Sequence, residues 1–338
     1  MNRRYHSTRL QCMSGLTLIE LMIAMVLNLT LLAGAFSIYI SNQSLYRTGE
    51  GLAQVQENLR IASDYLNRGV RMAGSGFSCS DIDSIENLLK TPDAFSFDYE
   101  QIIVGYNNGE NLPTELQGKV LENTDVLVLR GGYGTGARLE GEMNNSSATL
   151  KTTVIDPAPF ETGDVVAITD CRSASIFQIT NYTNSNGNVV YNTGSNTPGN
   201  ISKNFSRSYP AGASVIKTRT LAYYIGENEF GQAALFQYKN EGNSSQEIEI
   251  VDGIENMQLT FSEDRDDDGY PDGYYSSNDI VSWDKVVSAR FELLASSQEG
   301  NLLESPAEYT LNDQKVIPKD RKIYHTTSFV TAIRGRLR

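Results

Sequence analysis

The chain begins its regular pattern with one apolar run, Leu16 to Ile40, in which Glu20 is the only side chain that carries a formal charge. As a helix this run rises about 37 Å, enough to cross a bilayer core of about 30 Å. From Tyr39 the pattern turns amphipathic. Leu52, Val55, Leu59, Ala62, Leu66 and Val70 recur at intervals of three or four, with Glu50, Glu57, Arg60, Asp64 and Arg68 between them. Gly74 and Gly76 close the periodicity, so the spacing predicts one helix from Leu16 to about Met72, far longer than a normal globular helix.

After Gly76 the pattern changes to short apolar stretches broken by Asn, Gly and Ser. Ile102–Tyr106, Asp125–Arg130, Asp164–Thr169, Ile176–Thr180, Leu221–Ile225, Ala234–Tyr238, Glu247–Val251, Met257–Phe261 and Val286–Leu294 read as strands. Short connections make most of them hairpins, which predicts an α+β fold with a mainly antiparallel sheet. Gly131–Gly136 reads as a flexible turn, and Asn181–Ser208, rich in Asn, Ser and Gly, as a surface loop.

The residues before the apolar run hold Arg3, Arg4 and Arg9 and no acid, the charge of a segment that stays cytoplasmic while the rest of the chain faces outward. In an ordinary secretory signal the cleavage site follows the apolar stretch. Here Gly15 precedes it, and Glu20 lies five residues further on. The order of basic leader, Gly, then apolar helix with an early Glu resembles the class III signal of type IV prepilins. That resemblance implies cleavage between Gly15 and Leu16 by an inner-membrane prepilin peptidase, which also methylates the new Leu16 amine. Leu16 stands where the family more often has Phe. It also gives Glu20 a part in assembly: a carboxylate inside an apolar helix is costly alone, and the free amine of a neighbouring subunit offsets it.

A narrower likeness lies further along. The stretch Leu52 to Gly74, then Cys79, then Thr169-Asp170-Cys171 ahead of Ile176-Phe177-Gln178, and the ending Thr331 to Arg338, together resemble PilW-type minor pilins. The resemblance implies a type IV pilin-like fold, a long N-terminal helix packed on a β-sheet head. Its segments would be a leader at 1–15, a membrane and filament-core half-helix at 16–40, an amphipathic half-helix at 41–76 and a β-rich head at 77–338. It implies a bacterial protein held by one span in the inner membrane and then incorporated in a pilus. Its partners would be other minor and major pilins and the inner-membrane assembly platform, and its role would be to prime pilus assembly and so support adhesion, twitching motility or DNA uptake. A minor pseudopilin of a type II secretion system shares the signal and architecture. A membrane-anchored enzyme or adhesin is the alternative from another class.

Three cysteines are present, and Cys12 falls in the leader. The remaining pair, Cys79 and Cys171, reads as one disulfide in an oxidising compartment, two buried thiols being the alternative. A second constellation is Asp264-Arg265-Asp266-Asp267-Asp268-Gly269, with Asp272 at the ninth place. Alternating Asp264, Asp266 and Asp268, a glycine for the sharp turn and Asp272 resemble an EF-hand-type loop, which predicts structural Ca²⁺. The twelfth place holds Tyr275 instead of a bidentate acid, and a purely polar turn is the competing reading.

The formal charge is −13, and loss of the three leader arginines takes it to −16. Such a surface repels nucleic acid, so no direct nucleic-acid binding is expected. No metalloprotease, Walker or nucleophile-elbow motif occurs, and outside the leader the single histidine is His325, so no catalytic site is expected.

Overall fold

The structure, a computed structural model, describes residues 17–77, 84–143, 147–194, 197–242 and 244–336. Gly15, Leu16 and Cys79, which the sequence marks for processing and for a disulfide, lie outside the described residues. The chain divides into two compact units, one ending at Glu50 and the other running from Gly51.

The first helix, α1, spans Leu18–Arg71, 54 residues without a break. Its apolar side chains from Leu18 to Ile40 are exposed, and among the described residues it is the one helix long and apolar enough to cross a membrane. From Gly51 the helix has a buried face instead: Val55, Leu59, Ala62, Leu66 and Val70 enter the main core of the second unit. The predicted periodicity is therefore a packing face, and it ends where Gly74 and Gly76 turn with φ of 68° and 78°.

Along the chain the strands are β1 Ser84–Asn87, β2 Ile103–Tyr106, β3 Val126–Arg138, β4 Thr149–Lys151, β5 Val165–Thr169 and β6 Ser173–Gln178. Then come β7 Asn181–Thr183, β8 Asn188–Val190, β9 Ser214–Glu227, β10 Ala233–Glu241, β11 Ser244–Asp252 and β12 Ile254–Glu263. The last five are β13 Gly273–Tyr275, β14 Val286–Ser296, β15 Tyr309–Leu311, β16 Gln314–Val316 and β17 Tyr324–Ala332. Each strand predicted from the pattern is present, and β3 and β9 run well beyond their predicted ends.

β9 organises the larger sheet. β3 pairs with it along one side, while β5 takes its first half and β10 its second half on the other. β11 continues from β10 as an edge, and every pairing is antiparallel except β1 with β6. The second sheet runs β13-β12-β14-β17, all antiparallel. Alternation explains why the large sheet's strands are so apolar. Leu127 and Leu129 face the core under α1, while Val126 and Val128 face a second cluster with Ala222, Tyr224 and Tyr238. A strand covered on both faces reads as a continuous apolar run.

Two loop expectations are corrected. Gly131–Gly136 lies within β3, where the backbone of the α1 end crosses it: Gly74 N donates to Arg130 O at 2.8 Å and Gly132 N to Ser75 O at 2.5 Å. Asn181–Ser208 holds β7 and β8, and Tyr191, Phe205 and Tyr209 within or beside it are buried with Phe177 and Val166. Its polar residues hid that packing, because Asn200 is fully buried yet satisfied by Gln178 and by the Asn192 carbonyl.

Candidate functional site

At the start of α1, Thr17 and Glu20 cap the helix reciprocally. The Thr17 N–H and Oγ1–H both donate to Glu20 Oε2 at 2.9 Å, and Glu20 N donates to Thr17 Oγ1 at 3.3 Å. A Thr-x-x-Glu capping box satisfies helix N-terminal donors and sets a negative charge at the positive end of the helix dipole. The pattern was visible in the sequence but was masked by the stronger signal of a lone charge in an apolar run. Both contacts use Oε2, and Oε1 has no hydrogen bond among the described residues.

Cys171 is disulfide-bonded. It follows β5 in the turn to β6 with φ of 75°, and its N–H donates to Thr169 Oγ1 at 3.1 Å. The same hydroxyl donates to Phe77 O at 2.5 Å. The turn after α1 is thereby brought against the end of β5, two residues before each of the cysteines paired in the sequence reading.

The aspartate loop joins β12 to β13. One carboxylate oxygen each from Asp264, Asp266 and Asp268 can be chosen so that all three lie within 4.8 Å of one another. Calcium takes oxygens at about 2.3–2.6 Å, so ligands across one ion sit up to about 5 Å apart. The turn is held by the loop itself. Gly269 N donates to Asp264 Oδ2 at 2.9 Å, Asp268 N to Asp266 Oδ1 at 3.3 Å, and Gly269 has φ of 90°. Asp264 Oδ1 is buried and has no hydrogen-bond partner among the described residues, a costly state for a carboxylate oxygen unless a cation meets it.

Asp272 is outside the three-carboxylate group. Its Oδ2 accepts from Arg265 N at 2.7 Å and so closes the loop rather than extending the cluster. Tyr275 at the twelfth place lies under the Arg265 guanidinium, 3.6 Å from ring centre to Cζ. Asp279 accepts from Ser276 Oγ at 2.7 Å.

Residues that the sequence reading did not single out hold the base of the loop. Glu263 is fully buried and accepts from Ser282 N, Val281 N and Arg265 Nε. Burial alone raises its carboxyl, but those three donors, with the positive charge of Arg265, outweigh it and keep the group below the usual carboxylate range. Lys285 Nζ meets Asp267 Oδ2 at 2.8 Å, and that carboxylate holds the ammonium above its ordinary value. A buried Glu at the end of an amphipathic strand is a recognisable signal, since such a charge persists only with partners.

Residues 222–335 match the model of a known family, Type IV Pilus-assembly protein W. This bears out the PilW-type resemblance over β10 to β17 and the end of β9. No curated protein matches the chain. Among solved structures, a type IV-like pilin from Thermus thermophilus is similar at 11% identity, with 84% of this chain and 98% of that chain covered and a TM-score of 0.35.

Proposed function

We propose that the chain is a minor pilin of a type IV pilus, cut between Gly15 and Leu16, methylated at Leu16 and acting with other pilins to prime pilus assembly. The observation that carries this reading is α1. One unbroken helix bears an exposed apolar segment with a single acid at its start, then a face built into a β-rich head. Exposed apolar surface on that scale needs lipid before assembly and neighbouring helices after it.

Glu20 fits both stages. Through Oε2 it caps its own helix, and Oε1 is open to a second donor such as the positive amine of an adjoining subunit. In the precursor no such amine exists next to the helix, so processing couples to assembly by making the charge partner. The disulfide of Cys171 is assigned to Cys79, supported by the Thr169–Phe77 contact. The aspartate loop is assigned to structural Ca²⁺, supported by the orphaned Asp264 Oδ1 among three convergent carboxylates.

The test is the N-terminal mass of the protein recovered from cells, with and without Gly15→Val. The expected wild-type mass begins at a methylated Leu16, and Gly15→Val retains the leader and fails to reach pili. A wild-type protein that keeps residues 1–15 and still functions would overturn the proposal.

A further inference from the structure

Between the end of α1 and the end of β17 lies a groove of about 740 Å³. Arg68, Arg71 and Met72 line it from the helix, and Val330 and Arg334 from the strand and the turn that follows. The Thr331 hydroxyl donates to Asn67 Oδ1 on the same lining, so strand and helix are tied together at the groove and its two walls are held in place. All three arginines are exposed, and none has an ion-pair partner among the described residues, although the chain as a whole is at −13. Asp64, also on the lining, is taken by Arg60 at 2.9 Å. The groove therefore holds an excess of positive charge.

Arg68 and Arg71 stand in the last turn of α1, where a cation suits the helix dipole. The dipole accounts neither for Arg334, which comes from another element, nor for the apolar surface between the three. Met72 is 47% exposed and Val330 48%, large fractions for such side chains inside a concave site. Guanidinium groups around an apolar floor fit a ligand that carries negative charge and apolar surface together. Carboxylate and phosphate oxygens both match the guanidinium fork. The floor and the charge of the whole chain decide between them: a phosphodiester backbone offers nothing to Met72 and Val330, and a chain at −13 repels an extended polyanion.

We propose that this groove is the docking site for an acidic segment of a different pilin, one in which carboxylates flank an apolar side chain. The carboxylates meet Arg68, Arg71 and Arg334, and the apolar side chain lies on Met72 and Val330. The contact places a single copy of this chain beside a neighbour of another kind, and it rests on the pilin reading above for the identity of that neighbour. Charge gives it selectivity as well as affinity: a segment without acids leaves three guanidinium groups facing apolar or cationic surface.

The test replaces Val330 by p-benzoyl-phenylalanine in the full chain, irradiates intact cells and maps the adduct by mass spectrometry. The expected product joins this chain to a different protein that itself begins with the Gly, apolar run and early Glu, through a peptide holding at least two acids. Arg68→Glu with Arg71→Glu lowers the yield by about tenfold or more, whereas Arg68→Lys with Arg71→Lys keeps most of it. Changing the acids of the linked peptide to arginine restores the yield with the Glu variant, which a merely unfolded head would not allow. An adduct with a second copy, with nucleic acid or with a protein lacking that signal overturns the proposal, as does a linked peptide without acids, a yield indifferent to charge reversal, or no adduct. The N-terminal mass of the same sample separates the two readings: a chain that begins at Leu16 without the expected adduct brings down the groove contact alone, and a retained leader brings down the pilin reading with it.

Discussion

The Thr169 hydroxyl donates to the Phe77 carbonyl across the core, at 2.5 Å, and fixes the turn after α1 against the end of β5. With Gly74 N on Arg130 O, Gly132 N on Ser75 O and Ser75 Oγ on Gly132 O, four hydrogen bonds anchor that turn to two strands. The approach to Cys171 is thus organised by the fold before any covalent bond is considered. Cys79→Ser and Cys171→Ser should each lower stability by about 2–5 kcal/mol, with the double variant no worse than either single one. Chemical unfolding of the three variants beside the parent checks this. Additive losses would show that the two thiols act apart.

What the sequence revealed follows from periodicity. Val55, Leu59, Ala62, Leu66 and Val70 stand at helical spacing because one face meets the core, and the alternation of Val126 to Leu129 marks a strand between two apolar layers. What it concealed was held by polar satisfaction and by backbone proximity. Gln178 and Asn200 exchange hydrogen bonds in the interior, and a composition rich in Asn and Ser disguised the packed Tyr191 and Phe205 as solvated loop. β1, four residues paired in parallel with β6, is too short to leave a pattern. At the helix start, one glutamate serves a capping box legible from Thr17, yet its isolation among apolar residues drew attention to a partner in another molecule.

Gly131 and Gly132 of β3 owe their identity to the helix end. A Cβ on Gly132 would lie 2.9 Å from Ser75 O and 3.0 Å from Ile216 Cγ2, and backbone atoms on that side have little room to shift. Gly132→Ala should cost about 1–3 kcal/mol, whereas Gly141→Ala, where nothing lies within 4 Å, should stay within about 0.5 kcal/mol. Thermal melting of the detergent-solubilised chain compares them directly. Equal stability of the two variants would mean that the turn is not packed against β3 in solution.

Asp125 introduces a pH dependence of unusual sign. Its carboxylate accepts from Asn108 N at 2.8 Å and from Leu259 N at 2.7 Å, and it is 1% exposed. Burial raises the group from 3.8 to about 6, more than the two N–H donors lower it. The folded state therefore holds this proton more tightly than the unfolded chain does. Its proton-linked stabilisation is fully present below about 3.8 and lost as pH rises through about 6. The full shift corresponds to about 3 kcal/mol. Other carboxylates work in the opposite direction, Glu263 among them, so the measurement is a difference. The stability of the parent minus that of Asp125→Asn should grow as pH falls from about 6 to 4, by up to about 3 kcal/mol. A difference that stays flat across this window would place the carboxyl's true value near that of the unfolded chain.

The aspartate loop makes the last prediction, and its anatomy separates metal from architecture. Asp264, Asp266 and Asp268 converge, while Asp272 closes the loop through Arg265 N and Glu263 braces its base from below. Removing a convergent carboxylate should abolish a response to cation without unfolding the head, whereas removing Glu263 should destabilise it with or without cation. With dissociation constants of about 10⁻⁴–10⁻³ M, typical of extracellular modules, about 10 mM Ca²⁺ should stabilise the parent by about 1.4–2.7 kcal/mol. Asp266→Asn with Asp268→Asn should lose that increment and remain folded. It should even gain slightly in calcium-free buffer, because crowded like charges repel. Glu263→Gln should lose about 3–5 kcal/mol in both conditions, since Arg265 and two amide donors would be left facing a neutral group in a buried site. Melting with Ca²⁺, with Mg²⁺ at equal concentration and with chelator reads all three proteins. An increment shared by the parent and the double variant would show that the cation acts elsewhere, and no increment in the parent would reduce the loop to a polar turn.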